Sequence, residues 1–189
     1  MLGSMVSYGK VVLLSGNPSP LKGITSLNLQ YDYSKIIVGG MDEESFIKKG
    51  VEDRNAKKPR SGDVWKERWY NDRDSRFAPR FEELLNKNIG EKNASAARNN
   101  SNAKYTLILR TVFTETGFNV GIMRKPAFIN VEVDIVETAN PSNVVARLSI
   151  SKIPGRDAMG YDFDAGSRLE EAYAKCGKEL GKFLADKAL

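Results

Sequence analysis

The sequence predicts an α+β domain, with a largely antiparallel sheet of about five strands and helices packed on one face. Three observations carry this expectation. The segments "AFINVEVDIVET" (127–138) and "VVARLSI" (144–150) alternate apolar and polar residues with the period of half-buried strands. The C-terminal segment carries an apolar stripe at helical spacing. At 189 residues, with 41% apolar and 28% charged content, the chain has the composition of one globular core.

In chain order, "KVVLLSG" from Lys10 is a short continuous apolar strand, closed by the turn-rich "GNPSPLKG". "SLNLQYDYS" alternates strictly, with Leu27, Leu29, Tyr31 and Tyr33 on one face and Asn28, Gln30 and Asp32 on the other. Asp42 can cap a helix that buries Phe46, Ile47, Gly50 and Val51. "NAKKPRSGD" ends that helix. A second helical stretch follows, with Trp65, Trp69, Phe77, Phe81, Leu84, Leu85 and Ile89 on one stripe, divided or kinked at Pro79.

"GEKNASAARNNSNAK" reads as a mobile loop. Lys104 to Phe113 is a strand that leads into the alternating pair. In that pair Ile129, Val131, Val133 and Ile135 face inward, opposite Val144, Ala146, Leu148 and Ile150. Ser167 and Glu170 have the spacing of a capping box. Behind them Leu169, Ala172, Tyr173, Cys176, Leu180, Phe183 and Leu184 make one stripe, and the small Ala172, Gly177 and Gly181 would let the helix lie close to a sheet.

Composition closes several chemistries. The chain contains no histidine, which excludes a Ser-His-Asp or Cys-His mechanism and any His-ligated metal. Cys176 is the one cysteine, so no internal disulfide or CxxC site exists, and its apolar setting reads as a buried, inert thiol. "GRDAMGYD" has the outer glycine spacing of a phosphate loop without its Lys and Ser/Thr, and reads as a plain loop. Asp162 and Asp164 have the first two spacings of a calcium loop, but the twelfth position is Tyr173. Acids favouring a helix N-terminus are the reading adopted, with calcium as the alternative. Glu132 and Asp134 point outward from one strand and read as surface carboxylates. No cofactor or metal is expected.

The net charge of +5 is local. Residues 54–80 hold nine Lys/Arg against four acids, which equals the whole excess. Within this segment Trp65 and Trp69 share a helix face with core packing as the default, and next to Arg68 and Arg73 they form the candidate partner-binding surface. No stretch approaches the ~18 apolar residues of a spanning helix, so a soluble body is expected. "MLGSMVSYGK" reads as a signal-peptide tail cut before Lys10, with a cloning scar or a frayed cytoplasmic start as alternatives. Residues 1–9 are thus a signal remnant or disordered start, and 10–189 a single domain.

The segments "FAPRFEELLNKNI", "AKYTLILRTVF", the strand pair at 127–150 and "RLEEAYAKCGKELGKFLADKAL" together resemble uncharacterised periplasmic or lipoprotein-like bacterial families in the style of TolB amino-terminal and CsgG-type domains. The resemblance covers roughly residues 76–187 and is one of pattern. It implies a soluble periplasmic form, since no lipobox cysteine stands near the start, and a non-catalytic binding or assembly role with a protein or another envelope component as partner. Two alternatives stay open: a cytoplasmic nucleic-acid binder using residues 54–80, and a carboxylate-dependent hydrolase.

Overall fold

A computed structural model describes residues 9–120, 123–155 and 164–189. In chain order, β1 (Val11–Gly16) and β2 (Ser26–Asp32) are followed by the two-residue β3 (Ile37–Val38) and β4 (Met41–Asp42), then by α1 (Glu43–Lys57). α2 (Ser61–Asp72) passes through a π turn (Arg73–Phe77) into α3 (Ala78–Ile89). β5 (Ser95–Arg98), β6 (Tyr105–Glu115), β7 (Phe118–Val120), β8 (Met123–Lys125), β9 (Phe128–Glu137) and β10 (Asn140–Pro154) precede α4 (Ala165–Lys187).

The α+β class holds, but the sheet is mixed and eight-stranded among the described residues. Its main order is β1-β10-β9-β6-β2-β5, with β3 and β4 attached beside β6. The half from β1 to β6 is antiparallel, as expected, whereas β2 runs parallel to both β6 and β5. Alternation reports which face a residue takes and not the direction of the neighbouring strand, which explains the missed parallel half. β5 lies in the stretch expected to be a loop: its "SAAR" is short and small, yet Ala96 packs on the core beside Leu27.

The β9–β10 register sets Val133 opposite Leu148 and Val131 opposite Ile150, and these side chains are fully buried. Val144 departs from the expectation. An irregularity between Val144 and Ala146 breaks the alternation, and Val144 is 40% exposed. "VVLLSG" also differs from a buried strand, because β1 is the outermost strand and Val12, Leu13 and Leu14 are 47%, 44% and 52% exposed.

α3 and α4 pack together and, with the inner sheet face, enclose Phe81, Leu85, Ile89, Leu169, Tyr173 and Leu180. Gly177 and Gly181 of α4 face α3 and not the sheet. A Cβ on Gly177 would stand 2.2 Å from the Phe81 carbonyl oxygen, and one on Gly181 2.9 Å from that of Leu85. The expected capping box is displaced: Asp164 is the N-cap and accepts from the Gly166 N–H, while Ser167 lies inside the helix.

Pro79 does not divide its helix. The backbone is helical throughout 61–89, and the Ala78 N–H reaches back five residues to the Arg73 carbonyl. The π turn sits immediately ahead of the proline, where the i→i−4 ladder lacks a donor.

Candidate functional site

Of the four expected site residues, Trp65, Arg68 and Trp69 lie on α2 of the α1–α2 hairpin, and Arg73 opens the π turn that follows it. Asp42 starts the hairpin by accepting from the Ser45 N–H at 2.8 Å. Glu43 in the first turn then reaches across to α2. Its carboxylate accepts from Trp69 Nε1 at 2.6 Å and pairs with the Arg73 guanidinium. Phe46 packs against both indoles, whose own ring centres are 6.0 Å apart, with its ring centre 5.7 Å from that of Trp65 and 5.1 Å from that of Trp69. Gly50 permits this closeness, because a Cβ there would lie 2.5 Å from two Trp65 ring atoms. The Arg54 guanidinium covers Trp65 at 4.1 Å.

Trp65, Trp69 and Arg73 are thus brought together in a half-buried cluster that ties α2 to α1, and the indoles turn toward α1 and not outward as an aromatic patch. Arg68 is exposed and stands outside the cluster.

Arg73 also joins the hairpin to the sheet. Its guanidinium lies 4.2 Å from the Tyr33 ring centre and 5.0 Å from that of Tyr70. The Tyr33 hydroxyl is buried without a hydrogen bond, although it is near enough to Tyr173 for the two to influence each other's ionisation. Burial pushes the Tyr33 phenol up to about 12, so it is neutral at physiological pH.

Beside this contact an open cleft of about 1310 Å³ runs between 31–37 and the hairpin. Tyr31, Tyr33 and Tyr70 supply its aromatic walls, and acids and lysines alternate along α1 and α2. Sequence reasoning missed it, because its walls come from segments separated by whole elements. The tyrosines of 31–33 ahead of the helix were the available signal.

The expected carboxylate candidates sit in ion pairs. Asp134 is 4% exposed, a correction to its reading as a surface acid. Arg147 Nε lies 2.6 Å from its Oδ1, and Arg110 Nη2 lies 3.3 Å from its Oδ2. Burial alone would raise this carboxyl, but the two guanidinium groups hold it below the usual carboxylate range. Arg110 extends the row to Asp32 at 2.9 Å and Glu132 at 3.6 Å.

Asp164 pairs with Arg76 at 2.9 Å, and Arg76 also contacts Asp72 at 3.2 Å. Burial raises the Asp72 carboxyl, opposed by Arg76. Asp162, the phosphate-loop-like segment at 155–162 beyond Gly155, and the leader-like residues 1–8 lie outside the described residues. Among the described residues no group of three or more His, Cys, Asp or Glu is arranged to hold a metal. Cys176 is fully buried, and burial pushes its thiol far above its usual range. No helix among the described residues is long and apolar enough to cross a membrane.

No family model matches the chain, and no curated protein matches it. Solved structures similar to most of its trace include these three. The PelC dodecamer from Paraburkholderia phytofirmans is 14% identical with a TM-score of 0.43, over 90% of this chain and 98% of that one. A Xanthomonas campestris protein of the DUF330 family is 12% identical with a TM-score of 0.42, over 87% and 85%. A neuraminyllactose-binding hemagglutinin homolog from Helicobacter pylori is 12% identical with a TM-score of 0.40, over 96% and 91%. At these identities and TM-scores the likenesses establish neither family nor role.

Proposed function

We propose that this chain is a non-catalytic binding or assembly module of the bacterial cell envelope, exported to the periplasm, whose sheet is extended by a strand of another polypeptide along β1. The observation that carries this reading is the contrast between the two ends of the sheet. β5 is a short edge of four residues, and its Arg98 is paired with Glu82 at 2.7 Å and Asp74 at 3.2 Å. β1 is longer, has no charged residue and exposes Val12, Leu13 and Leu14. Soluble proteins blunt an edge with charge, brevity or cover, so an open apolar edge marks a pairing site. Trp65, Trp69 and Arg73 contribute to this reading only by shaping the hairpin and its cleft.

The test places a photo-crosslinking residue at position 14 in the native cell, with the exposed Lys178 position as control. A discrete adduct from position 14, in the periplasmic fraction, is expected, and its mass separates a second copy from a different protein. Leu13→Lys adds a charge to the edge and removes the adduct. Equal adducts from both positions, or none, refute the strand-pairing reading; retention in the cytoplasm refutes the envelope assignment.

A further inference from the structure

The basic segment divides into two sets with different surroundings. Four of its nine cations are engaged within the fold. Arg54 covers Trp65 and donates to the Gly50 carbonyl, Arg73 pairs with Glu43, Arg76 with Asp72 and Asp164, and Arg80 with Glu83 and Glu170. The other five, Lys57, Lys58, Arg60, Lys66 and Arg68, are exposed and make no ion pair among the described residues. Three of these five occupy four consecutive positions around Pro59, at the far end of the hairpin.

The turn that carries them is well fixed. The Ser61 hydroxyl donates to the carbonyls of Arg54 and Lys58 at 2.9 and 2.8 Å, and the Gly62 N–H donates to Asn55 Oδ1 at 2.8 Å. Arg60 is held in the left-handed region at φ 65°. A Cβ on Gly62 would meet the Val51 carbonyl at 2.3 Å, so the two helices meet here at backbone contact. One turn into α2, Val64 is 54% exposed, the highest exposure among the large apolar residues of the described chain. The acid next to the turn is Asp63, which lines the cleft.

We infer that the tip of this hairpin is a docking surface for anionic phospholipid headgroups, with Lys57, Lys58 and Arg60 contacting phosphates and Val64 entering the interface. Charge complementarity identifies the occupant. The fixed turn carries three exposed ammonium or guanidinium groups within four residues, against Asp63 as the nearest acid along the chain, and a headgroup plane offers phosphates to such a cationic cluster. Each Lys or Arg near an anionic bilayer contributes roughly fivefold in affinity, equivalent to about 1 kcal/mol. Exposed valine adds an apolar contact that salt does not screen.

Nucleic acid fits less well. Single strands are held by stacking bases on aromatic rings, and the indoles of this segment are turned inward against Phe46. The inference stands apart from the strand-pairing reading, since β1 lies at the sheet edge and takes no part in the hairpin.

The test is cosedimentation of the full chain with phosphatidylcholine vesicles, with and without phosphatidylglycerol. Binding to the phosphatidylglycerol vesicles and little to phosphatidylcholine alone is expected. The triple variant Lys57→Glu/Lys58→Glu/Arg60→Glu weakens binding about a hundredfold, three fivefold losses compounded. Lys22→Glu/Lys87→Glu/Lys178→Glu makes the same change in net charge on exposed positions elsewhere and retains binding. Val64→Ser removes the part of the binding that persists in high salt.

Failure to bind phosphatidylglycerol vesicles overturns the inference. So does equal loss in both triple variants, which would assign the effect to overall charge. A tip-dependent affinity for a single-stranded oligonucleotide, without vesicle binding, overturns it in favour of nucleic acid. All substituted side chains are exposed, so the unfolding midpoint of each variant serves as the check on folding.

Discussion

Gly177→Ala tests the packing on which the whole helical layer depends. In an open helix this substitution stabilises, because alanine exceeds glycine in helix propensity by about 0.8–1 kcal/mol. At position 177 the new Cβ would stand 2.2 Å from the Phe81 carbonyl oxygen, 3.0 Å from its carbon and 3.1 Å from the Leu85 nitrogen. All three are backbone atoms, so relief requires α3 and α4 to separate by about 1 Å, to the ordinary carbon–oxygen contact distance of roughly 3.3 Å.

That separation loosens the contacts of Phe81, Leu85 and Leu180, which are fully buried. Overpacking of this kind costs about 1–3 kcal/mol, and loss of close contact along two helices places it at the upper end, which leaves a net destabilisation of about 2 kcal/mol after the propensity gain. For a chain of this length this corresponds to a fall in Tm of roughly 4–8 °C. Gly90→Ala provides the internal control: a Cβ there meets nothing within 4 Å, and its φ of −58° suits alanine. Urea unfolding of both variants decides the matter. A neutral or stabilised Gly177→Ala protein would refute the backbone-contact account, whatever Gly90→Ala does.

Two further substitutions probe polar contacts. Asp134→Asn breaks the row linking β2, β6, β9 and β10 and lowers neutral-pH stability by about 1.5–3 kcal/mol. Because the folded Asp134 carboxyl lies below its ordinary value, its contribution is present above the unfolded pKa and disappears as pH falls through the folded one. The gap between wild type and variant in urea midpoint is therefore wide at pH 7 and closes below about pH 4; a gap independent of pH contradicts the ion-pair assignment. Trp69→Phe keeps the ring beside Phe46 but removes the donor to Glu43, costing about 1 kcal/mol, and an unchanged urea midpoint would show that the bond has no net worth.

The legible parts of the fold were those with local periodicity. The inward set of β9 and the stripe of α4 from Leu169 to Leu184 needed only the repeat of their own element. The illegible parts depended on distant partners. Asn28 belonged to the polar set by alternation, yet it is buried because Thr106 and Asn100 complete its hydrogen bonds from strands and turns far along the chain. Pro79 signalled a break that the π turn absorbs. At the hairpin the residue types were visible, since two tryptophans and a basic run stand out. Their division into an inward cluster and an outward tip was not, because it depends on Glu43 and Phe46 of the preceding helix. The exposed edge of β1 was hidden for the opposite reason: a run of Val and Leu reads as interior when its neighbours are unknown.

The π turn has a mechanical consequence. It keeps residues 61–89 helical through the proline, a helical path of roughly 43 Å at 1.5 Å per residue. One end of that path is the basic tip and the other is packed against α4 in the core. Arg76 bolts its middle to the start of α4 through Asp164. The turn at 57–60 is thus joined to the α3–α4 contact by one continuous helical path, so what docks at the tip and what packs in the core share a single element.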